Sequence, residues 1–481
     1  MEAGLSTNAR PQLKRVIGRL GFFSLAFGSM IGVGWITSLG NWFEKAGPLG
    51  AITAFLVGGL VMLVIGLCYA EVTPMLPVAG GEVAYAYKAS GTSMAFVVGW
   101  CLALGYLSVS AFEAGSIGMV LAYIEPRLEF GPLYNVNGVT VFASHLAIAA
   151  VFTLFITVIN FVGVNVATRV QIGLTVLLVI CASAFVIAGF GRGSTQNLRP
   201  GFAGETAMSG VQGMLAVLVT VPFWFVGFDT IPQAAEERQD QLPARRLSQC
   251  IVLSILGSIL FYVAVIATVG VVTPWQSIVG AKLPTARAFE TAFESRFWVN
   301  LVLMVGLIGL LTSWNGFFLA GTRVLFALGR AHIIHPAFGR THAKFGTPTT
   351  AVVFSGVVTL LSAGLGKGAL TAFVDAGSLG IVLAFVGVAM SLVKLRRSFP
   401  QLPRPYRVPG GWALPFAAII GSLLLLLAMV VPGSPGSLTV LEWIIVAGFF
   451  VLGVVFWLAA RTTRSRLTET ERSRLILEDY A

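Results

Sequence analysis

The stretch from Gly28 to Trp35 is the part of the sequence best suited to holding a small ligand. It reads Gly-Ser-Met-Ile-Gly-Val-Gly-Trp and lies inside a long apolar run. Glycines weaken a helix, so the stretch predicts a break that leaves backbone N–H and C=O groups without helical partners. In hydrocarbon such groups persist only where protein buries them or where they face a watery cavity. Residues 28–35 are therefore a candidate ligand site.

A second interruption is predicted between Pro222 and Pro232, where the two prolines bracket Gly227 and Asp229. Free N–H groups at the start of a half-helix favour an anion such as a carboxylate. Carbonyl groups of the opposing half-helices can take an ammonium group or a metal cation. Breaks in the first and sixth apolar segments are typical of an inverted repeat of five plus five helices, with the ligand site between the repeats.

Two acids lie inside apolar segments, where an ionised side chain costs on the order of 3 kcal/mol. Glu113 is predicted to bind an ammonium group of the ligand or to carry a proton; the alternative is a protonated Glu that bonds a neighbouring helix. Asp229 is predicted to change its protonation as its surroundings open and close; the alternative is a cap on the second half-helix. Both pairs of interpretations stay open on the sequence alone.

The elements that must position these residues are membrane-spanning helices. The chain of 481 residues is 56% hydrophobic and 11% charged, and its mean hydropathy is +0.88, values far from those of soluble proteins. Apolar runs near the roughly 20 residues that cross a bilayer predict an all-α integral membrane protein with twelve spans. They lie at residues 22–43, 48–73, 93–124, 141–163, 168–190, 211–233, 249–272, 298–330, 348–366, 371–394, 412–431 and 438–460.

The distribution of basic residues predicts the orientation. An even number of spans places both termini on one side, and a cytoplasmic placement puts 23 of the 31 Lys and Arg residues in inner segments, as the positive-inside rule requires. Inner loops beside anionic headgroups then explain the net charge of +11, so the expected partner is the lipid bilayer and not a nucleic acid. The first span is too long and glycine-rich for a cleavable signal. We expect a multi-pass protein of the plasma (inner) membrane with both termini cytoplasmic.

Several motifs form a pattern spread over nearly the whole chain. They are the glycine-broken first span, Tyr69-Ala70-Glu71 followed by Leu-Pro-Val-Ala-Gly-Gly-Glu at residues 76–82, Ala235-Glu236-Glu237 after the sixth span, and Arg323 with Arg330 at the end of the eighth. With these motifs in this order, the chain resembles members of the amino acid-polyamine-organocation (APC) superfamily of transporters, and among them the amino acid permeases. The resemblance implies a leucine-transporter-like fold with a cytoplasmic N-terminus (1–21), a first repeat (22–190), a second repeat (211–394), two peripheral spans (412–460) and a cytoplasmic tail (461–481).

The resemblance places the substrate on backbone atoms of the two breaks. Together with Glu113, the expected substrate-binding residues are Ser29, Met30, Ile31, Gly32, Val33, Gly34, Phe223, Phe225, Val226, Gly227 and Phe317. Similar transporters close the site with an aromatic residue next to the second break, which implies gating by Phe223, Phe225 or the intervening Trp224. This chain departs from the family at Val33, where many members have Ser or Thr, and at Trp35, where they have a small aliphatic residue. The indole of Trp35 either narrows the pocket or fills a gap between helices.

The expected coupling ion is H⁺ or Na⁺, and no other cofactor or metal is predicted. Asp229 and Glu113 are the candidate proton-coupling acids, and superfamily exchangers for cationic amino acids carry an acid at the place of Asp229. Hydroxyl pairs at the place of Thr312 and Ser313 help to hold sodium in sodium-coupled transporters of this fold, together with first-span carbonyls. Some proton-driven relatives place a lysine of the fifth span in that cavity, a residue that 168–190 lack.

Four acids near the inner ends of spans are predicted to form ion pairs at an inner gate, with Arg323 as one partner. They are Glu71, Glu82, Glu236 and Glu237.

The sequence therefore predicts a secondary active transporter that imports a small amino acid or related amine by alternating access, with a proton as the driver. Sodium symport, substrate exchange and a carboxylate-free substrate such as a polyamine or ethanolamine stay open as alternatives. A transporter-like nutrient sensor is an alternative of another class. An enzyme is not expected, because the spans hold almost no histidine and no convergent nucleophile and base. The sequence leaves the oligomeric state undetermined.

Overall fold

The computed structural model of the protein describes residues 10–434 and 436–480. Short turns of 3-10 helix connect several of its α-helices, among them Ala235–Glu237. The helices are α1 (Arg19–Met30), α2 (Gly34–Thr37), α3 (Leu39–Met75), α4 (Gly81–Ser90), α5 (Thr92–Ile124), α6 (Ala143–Val162), α7 (Val164–Arg192), α8 (Ala207–Leu218), α9 (Val221–Phe225), α10 (Thr230–Gln233), α11 (Arg245–Val272), α12 (Pro284–Phe293), α13 (Arg296–Arg330), α14 (Thr349–Ala363), α15 (Leu370–Ser398), α16 (Ala413–Val430), α17 (Val440–Ala459), α18 (Arg461–Ser465) and α19 (Glu469–Leu477).

Ten helical stretches of the described chain are long and apolar enough to cross a membrane. They coincide with ten of the twelve predicted spans, so the chain is a helical membrane protein. The sixth predicted span is divided among α8, α9 and α10. The ninth is α14, whose 15 residues rise about 22 Å, against a hydrocarbon core of roughly 30 Å.

The first two predicted spans meet inside α3. The backbone leaves helical geometry at Gly47 (φ 70°, ψ 169°), and Pro48 follows. A positive φ favours glycine, and a methyl group at Gly47 would also lie 2.7 Å from the carbonyl oxygen of Gly201. Residues 39–46 therefore continue the first predicted span, and residues 48–75 form the second.

A β-hairpin that the sequence analysis did not predict connects α5 to α6. Its strands are β1 (Pro132–Val136) and β2 (Val139–Phe142), paired antiparallel. Asn137 (φ 49°) and Gly138 (φ 77°) form the turn, the residue pair that two-residue hairpin turns prefer. The side-chain amide of Asn137 donates to the carbonyl oxygen of Gly368 at 2.8 Å, which fixes the hairpin to the segment before α15.

The two described ends of the chain meet at one end of the helix bundle. Arg10 donates from Nε to the carbonyl oxygen of Leu475 (3.1 Å) and lies 3.0 Å from Oε2 of Glu478. The tail is docked there through α19, which buries Ile476 and Leu477. We call this end of the bundle, defined by residues 10–18 and 461–480, the terminal face. The end that carries the hairpin is the opposite face.

Three acids form ion pairs near the terminal face, as the sequence predicts. Arg323 and Glu237 have side chains that are each 1% exposed, and they share two hydrogen bonds of 2.8 and 3.2 Å. Burial would raise the pKa of Glu236, but Arg330 and Arg10 outweigh it and hold that pKa at about 2, so this carboxylate is a permanent anion at neutral pH. The pairs are Glu71 with Arg396 and Arg404, Glu236 with Arg330 and Arg10, and Glu237 with Arg323.

Glu82 does not join these ion pairs, so the prediction for this acid is wrong. It is 0% exposed, and within residues 10–434 and 436–480 no Lys or Arg lies at ion-pair distance from it. Its Oε2 accepts a hydrogen bond from Nε2 of Gln233 instead. The motif placed Glu82 correctly beside the paired acids, but its side chain points to a neutral neighbour.

Replacing Arg323 with methionine is expected to destabilise the fold strongly. The Arg323→Met variant leaves Glu237 buried without its cation, and breaking a buried pair from one side costs roughly 3–5 kcal/mol. The measurement is thermal unfolding in detergent, which should show a markedly lower midpoint. The matched control is Arg287→Met: Arg287 lies 2.9 Å from Glu290, but their side chains are 54% and 40% exposed, and such pairs contribute about 0–1 kcal/mol. Equal midpoints for the two variants would contradict this account.

Candidate functional site

The two helix breaks face each other. The first lies between Met30, where α1 ends, and Gly34, where α2 begins. The second lies between α9 and α10 and contains Gly227, whose φ of 134° is accessible mainly to glycine. A methyl group at Gly227 would lie 2.8 Å from the backbone nitrogen of Met30. Both breaks therefore lie where the glycines predict them, in direct contact.

A small central cavity lies beside the first break. Its volume is about 10 Å³, roughly the space for one water molecule, so a larger ligand enters only after neighbouring groups move. The lining residues are Ser29, Met30, Gly32, Gly34, Val109, Phe112, Glu113, Phe223, Trp224, Tyr262, Ser313 and Phe317. The expected site residues that do not line it are Ile31, Val33, Phe225, Val226, Gly227, Asp229 and Thr312.

Glu113 is the acidic residue of this cavity. It lies on α5, is 2% exposed, and places Oε1 directly against Gly32. Its carboxyl group faces the backbone amide of Val33 and the hydroxyl of Ser313. Oε2 has no hydrogen-bond partner in the described part of the chain. Because the residue lines the cavity, this oxygen is an available acceptor for an ammonium group.

Aromatic side chains separate the central cavity from a larger space on the opposite face. The ring of Trp224 packs edge-on against Trp42 (5.3 Å between centroids), Phe223 (5.1 Å) and Phe112 (5.9 Å). We call these four residues the aromatic lid. Trp224 also covers Gly34, where a methyl group would overlap the indole. Phe112 and Trp224 line both spaces, so the lid is the partition between them.

Two aromatic residues singled out in the sequence lie away from the cavity. Phe225 packs on Phe55 and Tyr262, with ring centroids 6.3 and 5.4 Å apart. Trp35 packs on Phe185 and Phe261, at 5.5 and 6.0 Å. Of the two interpretations of Trp35, the structure fits the one in which the indole fills a gap between helices.

The space beyond the lid, which we call the vestibule, has a volume of about 270 Å³. Its charged lining residues are Lys45, Lys282, Lys367 and Asp375. Lys282 is paired with Glu129 at 3.0 Å, which leaves Lys45 and Lys367 against Asp375. This small excess of positive charge favours anionic groups such as carboxylates.

Asp229 lies outside the central cavity, in the second break. It is 0% exposed. Its Oδ1 accepts from the backbone amide of Gly227 and its Oδ2 from the hydroxyl of Tyr106, both at 2.8 Å. The first contact is a local bond across the break, and the second joins the break to α5. Asp229 therefore ties the second break to a neighbouring helix without touching the ligand space.

A side-chain amide lies beside Thr312, one of the two residues of the alternative sodium site. Nε2 of Gln171, on α7, donates to the carbonyl oxygens of Ser24 (3.2 Å) and Thr312 (3.0 Å). Its Oε1 accepts from the side-chain amide of Asn315 at 2.9 Å. The hydroxyl of Thr312 donates to the carbonyl oxygen of Gly309 at 2.9 Å. Gln171 thus joins α1 to α13, a role that sequence reasoning missed because it searched the fifth span only for a charged residue.

Comparison with known proteins adds to this geometry. The family model described as amino acid permease matches residues 17–457, a range that contains both breaks, the cavity and the vestibule. The chain is 28% identical to the branched-chain amino acid permease BcaP of Bacillus subtilis (strain 168), over 96% of this chain and 97% of the relative. It is 27% identical to the methylthioribose transporter of the same organism, over 82% and 84%, and 25% identical to its amino-acid permease RocE, over 81% and 82%.

Adding a methyl group at Gly309 is expected to damage the site. On α13, the methyl of Gly309→Ala would lie 2.8 Å from the carbonyl oxygen of Ile31 and 2.9 Å from that of Gly32, so the backbone of the first break must shift. Overpacking costs about 1–3 kcal/mol, which corresponds to roughly 5- to 150-fold weaker binding when the cost falls on the break. The measurement is the concentration dependence of radiolabelled amino acid uptake in proteoliposomes.

The control for this variant is Gly321→Ala on the same helix. A methyl group there meets only Cβ of Tyr106, at 3.5 Å, which is an ordinary contact, so uptake should be unchanged. An identical concentration dependence for both variants would show that the contact between α13 and the first break does not shape the ligand site.

Proposed function

Because the chain belongs to the amino acid permease family, we propose that it imports a small zwitterionic amino acid across the plasma membrane, driven by protons. Family membership makes it a permease and not an enzyme. The observation that carries the substrate proposal is Glu113 beside the first break. The carboxyl group suits the ammonium of an amino acid, and the free backbone amides of the break suit its carboxylate.

The remaining lining of the cavity favours a small apolar side chain on the substrate. Met30, Val109, Phe112 and Phe317 surround the space next to Glu113, and they offer apolar contact area without further charge. The name of the relative BcaP refers to branched-chain amino acids, which have side chains of this kind. A second anionic group on the substrate would meet Glu113 at close range, so acidic amino acids are disfavoured.

Barriers on both sides of the cavity support transport by alternating access. Towards the opposite face the aromatic lid separates the cavity from the vestibule. Towards the terminal face the ion pairs of Glu236 and Glu237 join the segment after α10 to α13. Trp224 precedes the second break and Glu236 follows it, so a movement of this segment about Gly227 acts on both barriers. The break is therefore the proposed hinge.

We further propose twelve spans arranged as two inverted repeats, residues 22–190 and 211–394, followed by two peripheral spans. In this topology α8, α9 and α10 together form the sixth span, and α14 forms the ninth. The excess of basic residues on the segments of the terminal face favours a cytoplasmic placement of that face. The vestibule then opens to the outside, and import proceeds from the vestibule to the terminal face.

A proton is the proposed driver because a neutral amide lies beside Thr312, where the sodium alternative needs oxygen ligands. Nε2 of Gln171 donates to the carbonyl oxygens of Ser24 and Thr312, which places a hydrogen-bond donor, and not a further oxygen ligand, at this contact between α1 and α13. Asp229 is a buried acid whose described hydrogen-bond partners, Gly227 and Tyr106, are uncharged. Burial without a cation favours the protonated form, and the two donated hydrogen bonds favour the ionised form. Movement of the break changes both, so it shifts the balance between the two forms.

The test is uptake of a radiolabelled panel, including leucine, alanine, arginine, glutamate and putrescine, into proteoliposomes under an imposed proton or sodium gradient at matched voltage. We expect leucine or alanine to accumulate with the proton gradient. Glu113→Gln removes a charge-assisted bond that contributes about 1.5–3 kcal/mol, so its apparent substrate affinity should fall roughly 10- to 150-fold. Asp229→Asn should keep exchange of labelled for unlabelled substrate but lose proton-driven accumulation.

Thr312→Ala serves as the control for the ion. Its hydroxyl is bonded to Gly309, so the variant should keep the proton dependence. Sodium-driven uptake that is lost on combining Thr312→Ala with Ser313→Ala would replace proton coupling by sodium symport. Uptake of putrescine alone would replace the amino acid by an amine, and specific binding without uptake or exchange would identify a sensor.

A further inference from the structure

Glu82 stands apart from the other buried acids of the terminal face because no Lys or Arg of residues 10–434 and 436–480 is paired with it. Glu71, Glu236 and Glu237 each contact at least one arginine. Glu82 is 0% exposed and bonds a neutral amide, that of Gln233. Burying an isolated ionised carboxylate is far more costly than burying its neutral form. An acid in this position is therefore expected to hold its proton while the surrounding structure stays closed.

The hydrogen bonds of Glu82 and Gln233 are incomplete without that proton. Nε2 of Gln233 donates to Oε2 of Glu82. The other oxygen of each group, Oε1 of Glu82 and Oε1 of Gln233, is buried and has no hydrogen-bond partner in the described chain. Both are acceptors, so no rotation of either side chain pairs them with each other. A hydrogen on the carboxyl group of Glu82 supplies a donor for Oε1 of Gln233 and allows a carboxylic acid to pair with a carboxamide. The hydroxyl of Tyr69, which faces Glu82, is a donor for the carboxyl group but does not serve Oε1 of Gln233.

The groups around Glu82 leave no charge to compensate an anion. The acid Asp229 and the hydroxyls of Tyr69 and Tyr85 face it, and the hydroxyl of Tyr106 lies 3.4 Å from Nε2 of Gln233. The charged side chains of helices packed against α4 are engaged elsewhere: Arg323 of α13 by Glu237, Lys394 of α15 by Ser90, and Glu469 of α19 by Tyr87. Burial raises the pKa of Glu82.

The position of Glu82 couples it to the second break. Gln233 is the last residue of α10, the short helix that follows the break. The start of α4 packs on the same helix, since a methyl group at Gly81 would lie 2.5 Å from Cβ of Pro232. A movement of α10 away from α4 therefore separates Gln233 from Glu82 and admits water to the carboxyl group. Hydration favours the ionised form.

We propose that Glu82 is a proton-binding group of the transport cycle, protonated while the terminal face is closed and deprotonated when that face opens. On opening, the O–H bond of the carboxyl group breaks, the proton passes to water on the terminal side, and a carboxylate remains. On closing, the carboxylate takes up a proton that has entered from the opposite side, and Asp229, which is bonded to the Tyr106 hydroxyl beside Gln233, is the neighbouring acid on that side. This inference rests on the proton coupling proposed above.

The direct test is infrared spectroscopy of the purified protein at neutral pH, comparing the carbonyl stretch of protonated carboxyl groups in the wild type and in Glu82→Gln. The substitution keeps the shape of a protonated acid, so the fold should persist. We expect the wild-type band to lose intensity in the variant. Glu44→Gln is the matched control, because Glu44 is exposed and its replacement should leave the band unchanged. An unchanged band in Glu82→Gln would overturn the proposal, whatever ion drives transport.

The functional test compares driven uptake with exchange. In proteoliposomes, Glu82→Gln should retain exchange of labelled for unlabelled amino acid, lose proton-driven accumulation, and flatten the pH profile of uptake; Glu82→Asp should restore part of both. Proton-driven accumulation that persists in Glu82→Gln would overturn the role of Glu82 while leaving the proposed function intact. Sodium-driven uptake by the wild type would overturn the proposed function, and the infrared band would still report whether Glu82 is protonated.

Discussion

Interrupted backbone in the middle of an apolar bundle is the constraint on which the rest of this structure depends. Carbonyl groups in and beside the break of the first span need hydrogen-bond donors other than their usual helical partners. Where hydrocarbon surrounds the bundle, the donors come from protein or from the water of a cavity. Side chains from three different helices do so. The hydroxyl of Tyr262 donates to the carbonyl oxygen of Met30 (2.8 Å), the hydroxyl of Thr285 to that of Trp35 (2.7 Å), and the amide of Gln171 to that of Ser24 (3.2 Å). Protein side chains thereby form hydrogen bonds with the carbonyl groups around the break, and the backbone amides of the break remain for Glu113 and the proposed ligand.

The buried acids are also divided into two groups, one near the terminal face and one near the middle of the bundle. Near the terminal face, buried acids are matched with arginines, and each pair joins segments that are far apart in the sequence, as Glu237 and Arg323 do. Such pairs give definite geometry at small net gain, because their attraction is offset by desolvation. The acids nearer the middle, Glu113 and Asp229, contact neutral groups only. A carboxyl group without a fixed cation is free to respond to a substrate or a proton, which is what a transport cycle requires of it.

The sequence predicts the architecture better than the contacts inside it. Glycine and proline report backbone breaks directly, so both interruptions lie where residues 28–34 and 222–232 place them. The hairpin was also predictable, because Asn137-Gly138 between β-forming residues is a turn signal. A prediction based on apolar runs alone does not include it. The hydrogen-bond partners of Gln171 and Glu82 were not predictable from the sequence. Whether a polar side chain contacts a carbonyl group, an arginine or another amide depends on helix packing, which the spacing of residues along the chain does not specify.

In the proposed transport cycle, the contact between the lid and the first break couples substrate binding to closure. Trp224 lies on Gly34, at the edge of the same break that supplies backbone amides to the cavity. Because the cavity of about 10 Å³ is too small for an amino acid, a substrate must displace neighbouring groups, and Phe223 and Trp224 are the mobile candidates since they precede the hinge at Gly227. In the proposed cycle, a substrate in the break therefore competes with the lid for space on one side. On the other side it contacts α9 and α10. The glycine at position 34 makes this possible, because any side chain there would hold the indole away from the break and separate the two events.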